Sequence, residues 1–327
     1  MLIEFILVAV SVFLLTVILE KIIIPILKSH KVGQRILEIG PRWHQNKSGT
    51  PTMGGICFIM AILVVMSVVA TVVAIKGRSK ELIPLALALG LGTFNGMIGF
   101  FDDYTKLVKK QNEGFTALQK ITLQGVVAGV YVFAMAMTDN TSTVLHIPFT
   151  SVNLELGWLY YVFMFVLILG FVNSVNLTDG IDGLASSVTL VVGAFFALAA
   201  FSVNDRMLSL VAASLIGATL GFLIYNFYPA RVFMGDTGSL FLGGLVVGAI
   251  FMLGEPVLIF LIGLIYFIEA LSVMIQVGVY KLTKKRVFKM APIHHHFEKC
   301  GWSEIKIVSV FSVVTLIFCA IAYFAIR

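Results

Sequence analysis

Charge is what this sequence has least of. Only 12% of its 327 residues are Asp, Glu, Lys or Arg, and 59% are hydrophobic, where a soluble domain carries roughly 25% charged residues. So little charge cannot clothe a surface of this size in water. The hydrophobic excess reads as surface turned toward lipid rather than as an enlarged soluble core. Cysteine is scarce too. Cys57, Cys300 and Cys319 form no CxxC pair, which excludes a disulfide framework and a thiolate zinc site. The first apolar run follows Glu4 without a basic leader or a small-residue cleavage site, so a retained spanning helix is expected there, not a signal peptide. No low-complexity tract, soluble domain or internal repeat is visible, and a transporter built from inverted repeats finds no support.

What is present is a series of apolar runs of spanning length. Charged or Gly/Pro-rich breaks delimit ten: 3–27, 53–75, 82–101, 119–138, 157–175, 184–203, 207–226, 238–253, 256–280 and 305–326. The run 238–253 is short and Gly-rich. The expectation is an all-α polytopic membrane protein, residues 1–327 forming a single integral membrane domain. Ten spans put both termini on one side. One set of loops (28–52, 102–118, 176–183, 227–237, 281–304) holds fifteen Lys and Arg, and the other (76–81, 139–156, 204–206, 254–255) holds four. By the positive-inside rule the first set is cytoplasmic and both termini are extracytoplasmic. A net charge of +6 is thereby spent on topology and does not point to nucleic acid. The outer segment 139–156, with β-branched residues, a Pro and alternating polarity, reads as a small hairpin or lid.

The aspartates follow the same division. Asp139 and Asp205 fall outside, whereas Asp102, Asp103, Asp179, Asp182 and Asp236 all fall inside, in GFFDDYTK, NSVNLTDGIDGLA and RVFMGDTGS. Carboxylates beside hydrocarbon are costly, and five converging acids repel one another. A divalent cation resolves both problems, and hard oxygen ligands suit Mg²⁺ together with substrate phosphates. The flanking glycines allow a phosphate to approach backbone N–H groups. The plainer alternative, interfacial aspartates that cap helices, stays open, above all for Asp236. Glu269 is the one acid expected deep in a span, where a proton-coupled permease would place several.

Three further segments carry polar chemistry. His294, His295 and His296 are consecutive. They cannot all chelate one metal from a regular helix, but they could offer imidazoles to an anion; a metal-binding or solvated tract is the other reading. The basic, Gly-rich loop from Arg42 through His44, Lys47 and Thr52 to Gly55 resembles a phosphate cradle without being a Walker A sequence, and a plain juxtamembrane loop accounts for it equally. In YNFYPARVFMGD, Asn226 and Phe233 could hydrogen-bond and stack on a base. Together these groups describe a Mg²⁺-dependent enzyme acting on phosphates at the inner membrane surface.

GTPTMGG, DDYTK, NLTDGIDGLA, FMGDTGSL and APIHHHFEKCGWSE closely resemble, in order and along essentially the whole chain, the polyprenyl-phosphate N-acetylhexosamine-1-phosphate transferase superfamily. The triple histidine before FEKCGW points to its muramoyl-pentapeptide branch rather than to relatives that use UDP-GlcNAc. The resemblance implies transfer of phospho-MurNAc-pentapeptide from UDP-MurNAc-pentapeptide to undecaprenyl phosphate, giving lipid I and UMP in peptidoglycan synthesis, in a bacterial inner membrane. It implies Asp236 as the Mg²⁺ ligand and Asp102 as the base on the lipid phosphate, with Asp103 beside it. Lys106 and Lys120 fall where the family has phosphate- or lipid-contacting lysines. Asn176, Asp179, Gly180 and Asp182 fall around the nucleoside and sugar, and Lys47, Thr52, Asn226 and Phe233 in a uridine and diphosphate pocket. His294 matches a catalytic position, and His295 and His296 match substrate-contacting ones. A homodimer is also implied, with the first and tenth spans as its expected interface.

Overall fold

The computed structural model describes residues 1–29, 47, 49–108, 114–138 and 142–326. Most of the basic loop before the second span, Arg42 and His44 included, lies outside the described residues, as do Lys109, Lys110 and Asp139.

The helices, in chain order, are α1 (Leu2–Ser29), α2 (Gly55–Ile75), α3 (Leu82–Val108), α4 (Ala117–Ala136), α5 (Trp158–Thr178), α6 (Leu184–Ser202), α7 (Arg206–Asn226), α8 (Gly235–Leu253), α9 (Ile259–Ile262), α10 (Leu264–Thr283), α11 (Ile293–Lys299) and α12 (Glu304–Tyr323). Among the described residues ten of them, all but α9 and α11, are long and apolar enough to cross a membrane. Each expected span overlaps one of these. The chain is an all-α polytopic membrane protein. Its one sheet among the described residues is an antiparallel hairpin in the segment expected to hold it: β1 (Val144–His146) pairs with β2 (Asn153–Glu155), Val144 opposite Glu155.

Local signals set several starts. Thr116 and Gln119 form a reciprocal capping box at α4, Asp205 Oδ1 accepts Leu208 N–H at α7, and Ser303 Oγ accepts Lys306 N–H at α12, each satisfying N–H groups that a helix leaves unpaired. Glu4 and Arg206 tie α1 to α7 through two 2.7 Å bonds.

Three expectations need correction. The span expected at 82–101 does not end there: α3 runs on to Val108, so Asp102, Asp103 and Lys106 ride its last turns instead of a loop. The span expected at 256–280 is broken into a 3₁₀ turn at Pro256–Leu258, α9, and α10 after Gly263. Glu269 is not alone at depth, because Glu20 on α1 is equally buried.

The short, Gly-rich span is the centre of the molecule. In α8 every residue from Thr237 to Phe251 is buried, as in a helix surrounded by protein on all sides. Its glycines lower its hydropathy because they meet helices and not lipid. A Cβ on Gly244 would lie 2.7 Å from Leu91 O, one on Gly248 2.7 Å from the Ala88 Cα, and one on Gly99 of α3 2.1 Å from Asp236 O. Small residues here let the α3 and α8 backbones touch, which draws the end of α3 against the start of α8. By contrast α1 leaves Leu7, Leu14, Ile18 and Ile22 exposed, an apolar face that no other helix among the described residues covers.

Candidate active site

The ends of α3 and α5 meet the starts of α4 and α8 at one end of the bundle. Asp102 and Asp103 come from α3, Asp236 from the first turn of α8. One carboxylate oxygen from each can be chosen so that all lie within 4.8 Å of one another. Two lysines enter the same volume. Lys106, one turn beyond the paired acids, reaches Asp102 Oδ2 at 2.7 Å and Asp236 Oδ2 at 2.9 Å; Lys120, on the first turn of α4, reaches Asp236 Oδ2 at 2.7 Å. Asn176, near the end of α5, donates to Asp236 Oδ1 and to Ser239 Oγ, both at 2.8 Å.

The two neighbouring acids are used differently. Asp102 Oδ1 accepts Phe115 N–H at 2.6 Å, its other oxygen facing Lys106. Asp103 Oδ2 accepts both the backbone N–H and the hydroxyl of Thr237, at 3.0 and 2.8 Å, and so binds α3 to the first turn of α8. The approach depends on Gly235, which sits at φ +71° with Asp103 Oδ2 2.5 Å and Thr52 Oγ1 2.9 Å from where a Cβ would be; a side chain there would be strained and obstructed.

A second cluster adjoins the first. Lys47 Nζ lies 2.6 Å from both Asp182 Oδ1 and Glu304 Oε2, and 5.8 Å from the centre of the Tyr228 ring. Glu304 also accepts Asp182 N–H at 3.0 Å, and Asp182 Oδ2 accepts Ala230 N–H at 2.9 Å. Both Asp182 oxygens are therefore engaged within the protein. Asn226 is likewise committed, donating to Val232 O at 3.0 Å and accepting from Ser186 at 3.1 Å. Phe233 is partly exposed, and its backbone pairs with the second-span entry: Phe233 N–H donates to Pro51 O at 2.8 Å and Phe233 O accepts Gly54 N–H at 2.9 Å. Thr52 is thereby held beside Gly235. Asp179 caps the end of α5 beside an exposed Gly180. Desolvation pushes its carboxyl well above the usual range, and the charges of Asp236, Asp103 and Asp182 push it the same way.

The three histidines lie on the short helix α11, where the His294 and His295 rings meet edge to face with centroids 4.1 Å apart and His296 turns toward Phe288. His294 is fully buried against Glu269. His295 Nδ1 lies 2.6 Å from Glu298 Oε2, and His296 Nδ1 accepts Lys289 N–H at 3.1 Å. Consecutive residues on a helix point about 100° apart, so the three imidazoles find three different polar partners even though the first two rings touch.

Sequence reading passed over Glu304, Thr237 and Ser239. Glu304 closes APIHHHFEKCGWSE, but it follows the Ser303 cap, where an acid is ordinary helix-terminus chemistry, and nothing local separates that role from its reach to Lys47. Thr237 and Ser239 had a signal: both stand in FMGDTGSL, within three residues of Asp236.

The cluster could hold a metal ion. Its donors are hard carboxylate oxygens from two helices, and three acids against two lysines leave negative charge, which fits a divalent cation. A carboxylate–lysine centre at one end of a bundle with ten spanning helices among the described residues defines a polytopic membrane protein of the enzyme class. Residues 85–255 match the family model for glycosyl transferase family 4, and residues 47–59 match the phospho-N-acetylmuramoyl-pentapeptide-transferase signature 1. Proteins named phospho-N-acetylmuramoyl-pentapeptide-transferase are similar over nearly the whole chain. That of Clostridium perfringens strain 13 is 46% identical over 95% of both chains, and that of Clostridioides difficile is 45% identical over 97% of this chain and 96% of its own. That of Staphylococcus carnosus is 45% identical over 94% of this chain and 95% of its own. The chain belongs to the phospho-N-acetylmuramoyl-pentapeptide-transferase family, and it is a transferase.

Proposed function

We propose that this enzyme moves phospho-MurNAc-pentapeptide from UDP-MurNAc-pentapeptide to undecaprenyl phosphate, releasing UMP and forming lipid I. Family membership supports the reaction. The single structural observation that carries it is the gathering of Asp102, Asp103 and Asp236 with Lys106 and Lys120. A phosphate-for-phosphate exchange needs charge neutralisation and alignment more than covalent chemistry, and this centre supplies both signs of charge.

In this reading an oxygen of the lipid phosphate attacks the sugar-bearing phosphorus of the nucleotide. A new P–O bond forms there, the bond to the uridine-side phosphate breaks, and UMP leaves with the electron pair. Asp102, half of whose carboxylate is held by Phe115 N–H, takes the proton from the lipid phosphate. Lys106 and Lys120 hold phosphate oxygens. Asp236, with Asp102 and Asp103 alongside, would hold Mg²⁺, whose chemistry when bound is neutralisation and polarisation of the diphosphate. Thr52 and Phe233 line the nucleoside side, with the Phe233 ring against uracil, and Lys47 and Asn226 frame that pocket. Asn176, Asp179 and Gly180 face the sugar, Asp182 shapes their turn through Lys47 and the Ala230 N–H, and His294 packs behind Gly180, with His295 and His296 following it on α11 toward the donor. We favour direct attack over a covalent phospho-aspartate.

The site faces the cytoplasm of a bacterial inner membrane with both termini outside, on the distribution of Lys and Arg among the loops. A homodimer through α1 and α12 fits the exposed apolar face of α1.

The deciding assay incubates purified protein with Mg²⁺, undecaprenyl phosphate and either UDP-MurNAc-pentapeptide or UDP-GlcNAc, and measures UMP. Release with the muramoyl donor alone is expected. Release with UDP-GlcNAc alone would reassign the donor, and release with neither would overturn the reading.

A further inference from the structure

Glu269, on α10, and His294, on α11, are both fully buried. His294 Nδ1 lies 3.0 Å from Glu269 Oε2, and the His294 backbone N–H approaches the same oxygen at 3.4 Å. Pro292, the cap residue of α11, offers no side-chain cap, so a carboxylate from another helix takes up one of the N–H groups that a helix start leaves over. The other ring nitrogen, Nε2, has no hydrogen-bond partner among the described residues. It packs against the turn after α5, where a Cβ on Gly180 would lie 2.3 Å from it.

A carboxylate at one ring nitrogen of a histidine fixes the proton there and fixes the ring's orientation. Here the proton belongs on Nδ1, and Nε2 presents a lone pair to the Asp179–Gly180 turn. Packing alone gives no reason to hold an acid at this depth, because an intramembrane carboxylate is costly. A leucine would fill the space but leave Nδ1 without the carboxylate that orients the ring.

We propose that Glu269 is a positioning residue that acts through His294 on the turn Asp179–Asp182, holding that turn where the nucleotide-sugar donor lies. The inference rests on the donor-binding reading of that turn. It assigns a function to an acid that the carboxylate–lysine centre does not touch.

Two measurements test it. In wild-type protein labelled with ¹⁵N-histidine, the His294 resonances, assigned with an H294Q sample, should show a protonated Nδ1 and a bare Nε2, and E269A should abolish that preference. In steady-state assays E269A should lower kcat/KM for the nucleotide-sugar donor by about 10- to 100-fold, the cost of losing a histidine's orienting partner. The loss should lie in the donor's KM and leave the KM for undecaprenyl phosphate unchanged. E269Q, which keeps an oxygen to accept Nδ1–H, should recover most of it. In the H294Q background E269A should add little, because the two residues act as one unit.

A wild-type His294 protonated on Nε2 would overturn the proposal, as would additive effects of the two substitutions. Failure of the wild-type protein to release UMP from any donor would instead strike the proposed reaction, and the tautomer measurement would still stand on its own.

Discussion

Asp103 Oδ2 receives two hydrogen bonds from Thr237, 134 residues away in the chain. The acid thus acts as a helix cap supplied by a different helix, and it fixes the distance between the Asp102–Asp103 pair and Asp236. Replacing it should therefore cost both stability and activity. D103A should destabilise the protein by about 0.5–2 kcal/mol, the range for a lost cap. T237V, which removes only the hydroxyl bond, should cost about 0.5–1.5 kcal/mol while retaining turnover. Thermal unfolding in detergent, read beside UMP release, separates the two.

Asp236 is touched by two ammonium groups and one amide, and it is the proposed metal ligand. D236A should reduce turnover by at least about 10²–10³-fold, the scale of losing one electrostatic partner of the reacting charge. It should also flatten the dependence on Mg²⁺ concentration. A variant with normal turnover would remove Asp236 from the metal site.

Lys47 is held between Asp182 and Glu304, which joins the entry to α2, the turn after α5 and the start of α12. E304A should release Lys47 and the Asp182 amide together and raise the KM for the nucleotide donor, with a smaller effect on kcat. E304Q, which keeps acceptors for both, should lie close to wild type. Equal behaviour of the two variants would argue that Glu304 merely opens α12.

Asp179 sets a dependence on pH whose sign can be stated. Its folded-state value is raised by desolvation and by three neighbouring carboxylates, so the native state keeps a proton that the unfolded chain loses. This contribution to stability is present at low pH and is lost as pH rises through the folded value. D179N should thus unfold at a higher temperature than wild type in metal-free buffer at neutral pH, and the difference should shrink toward about pH 4, near the ordinary aspartate value. A constant difference across that range would exclude ionisation as its origin.

Much of the architecture was legible before any coordinates. Whether a segment enters a bilayer depends on its own transfer free energy and on satisfying its own backbone, so ten spans and the hairpin segment could be marked from residues alone. The gathering of acids at one end was equally visible, because alternation of spans assigns each loop a side. Resemblance of FMGDTGSL and APIHHHFEKCGWSE added the chemistry that periodicity cannot supply.

What the tertiary structure decided concerns neighbours. The Gly-rich run 238–253 looked marginal because hydropathy weighs a helix against lipid, and α8 meets protein on every side. The same packing carried α3 to Val108, placing Lys106 against an acid 130 residues distant. It committed Asp182 and Asn226 to internal bonds, sent three adjacent histidines to three different partners, and gave the buried Glu269 its imidazole. A sequence states which groups a helix carries and the solvent each segment prefers. Which of those groups meet depends on how the helices pack, and that is set by shape and close contact between segments far apart in the chain.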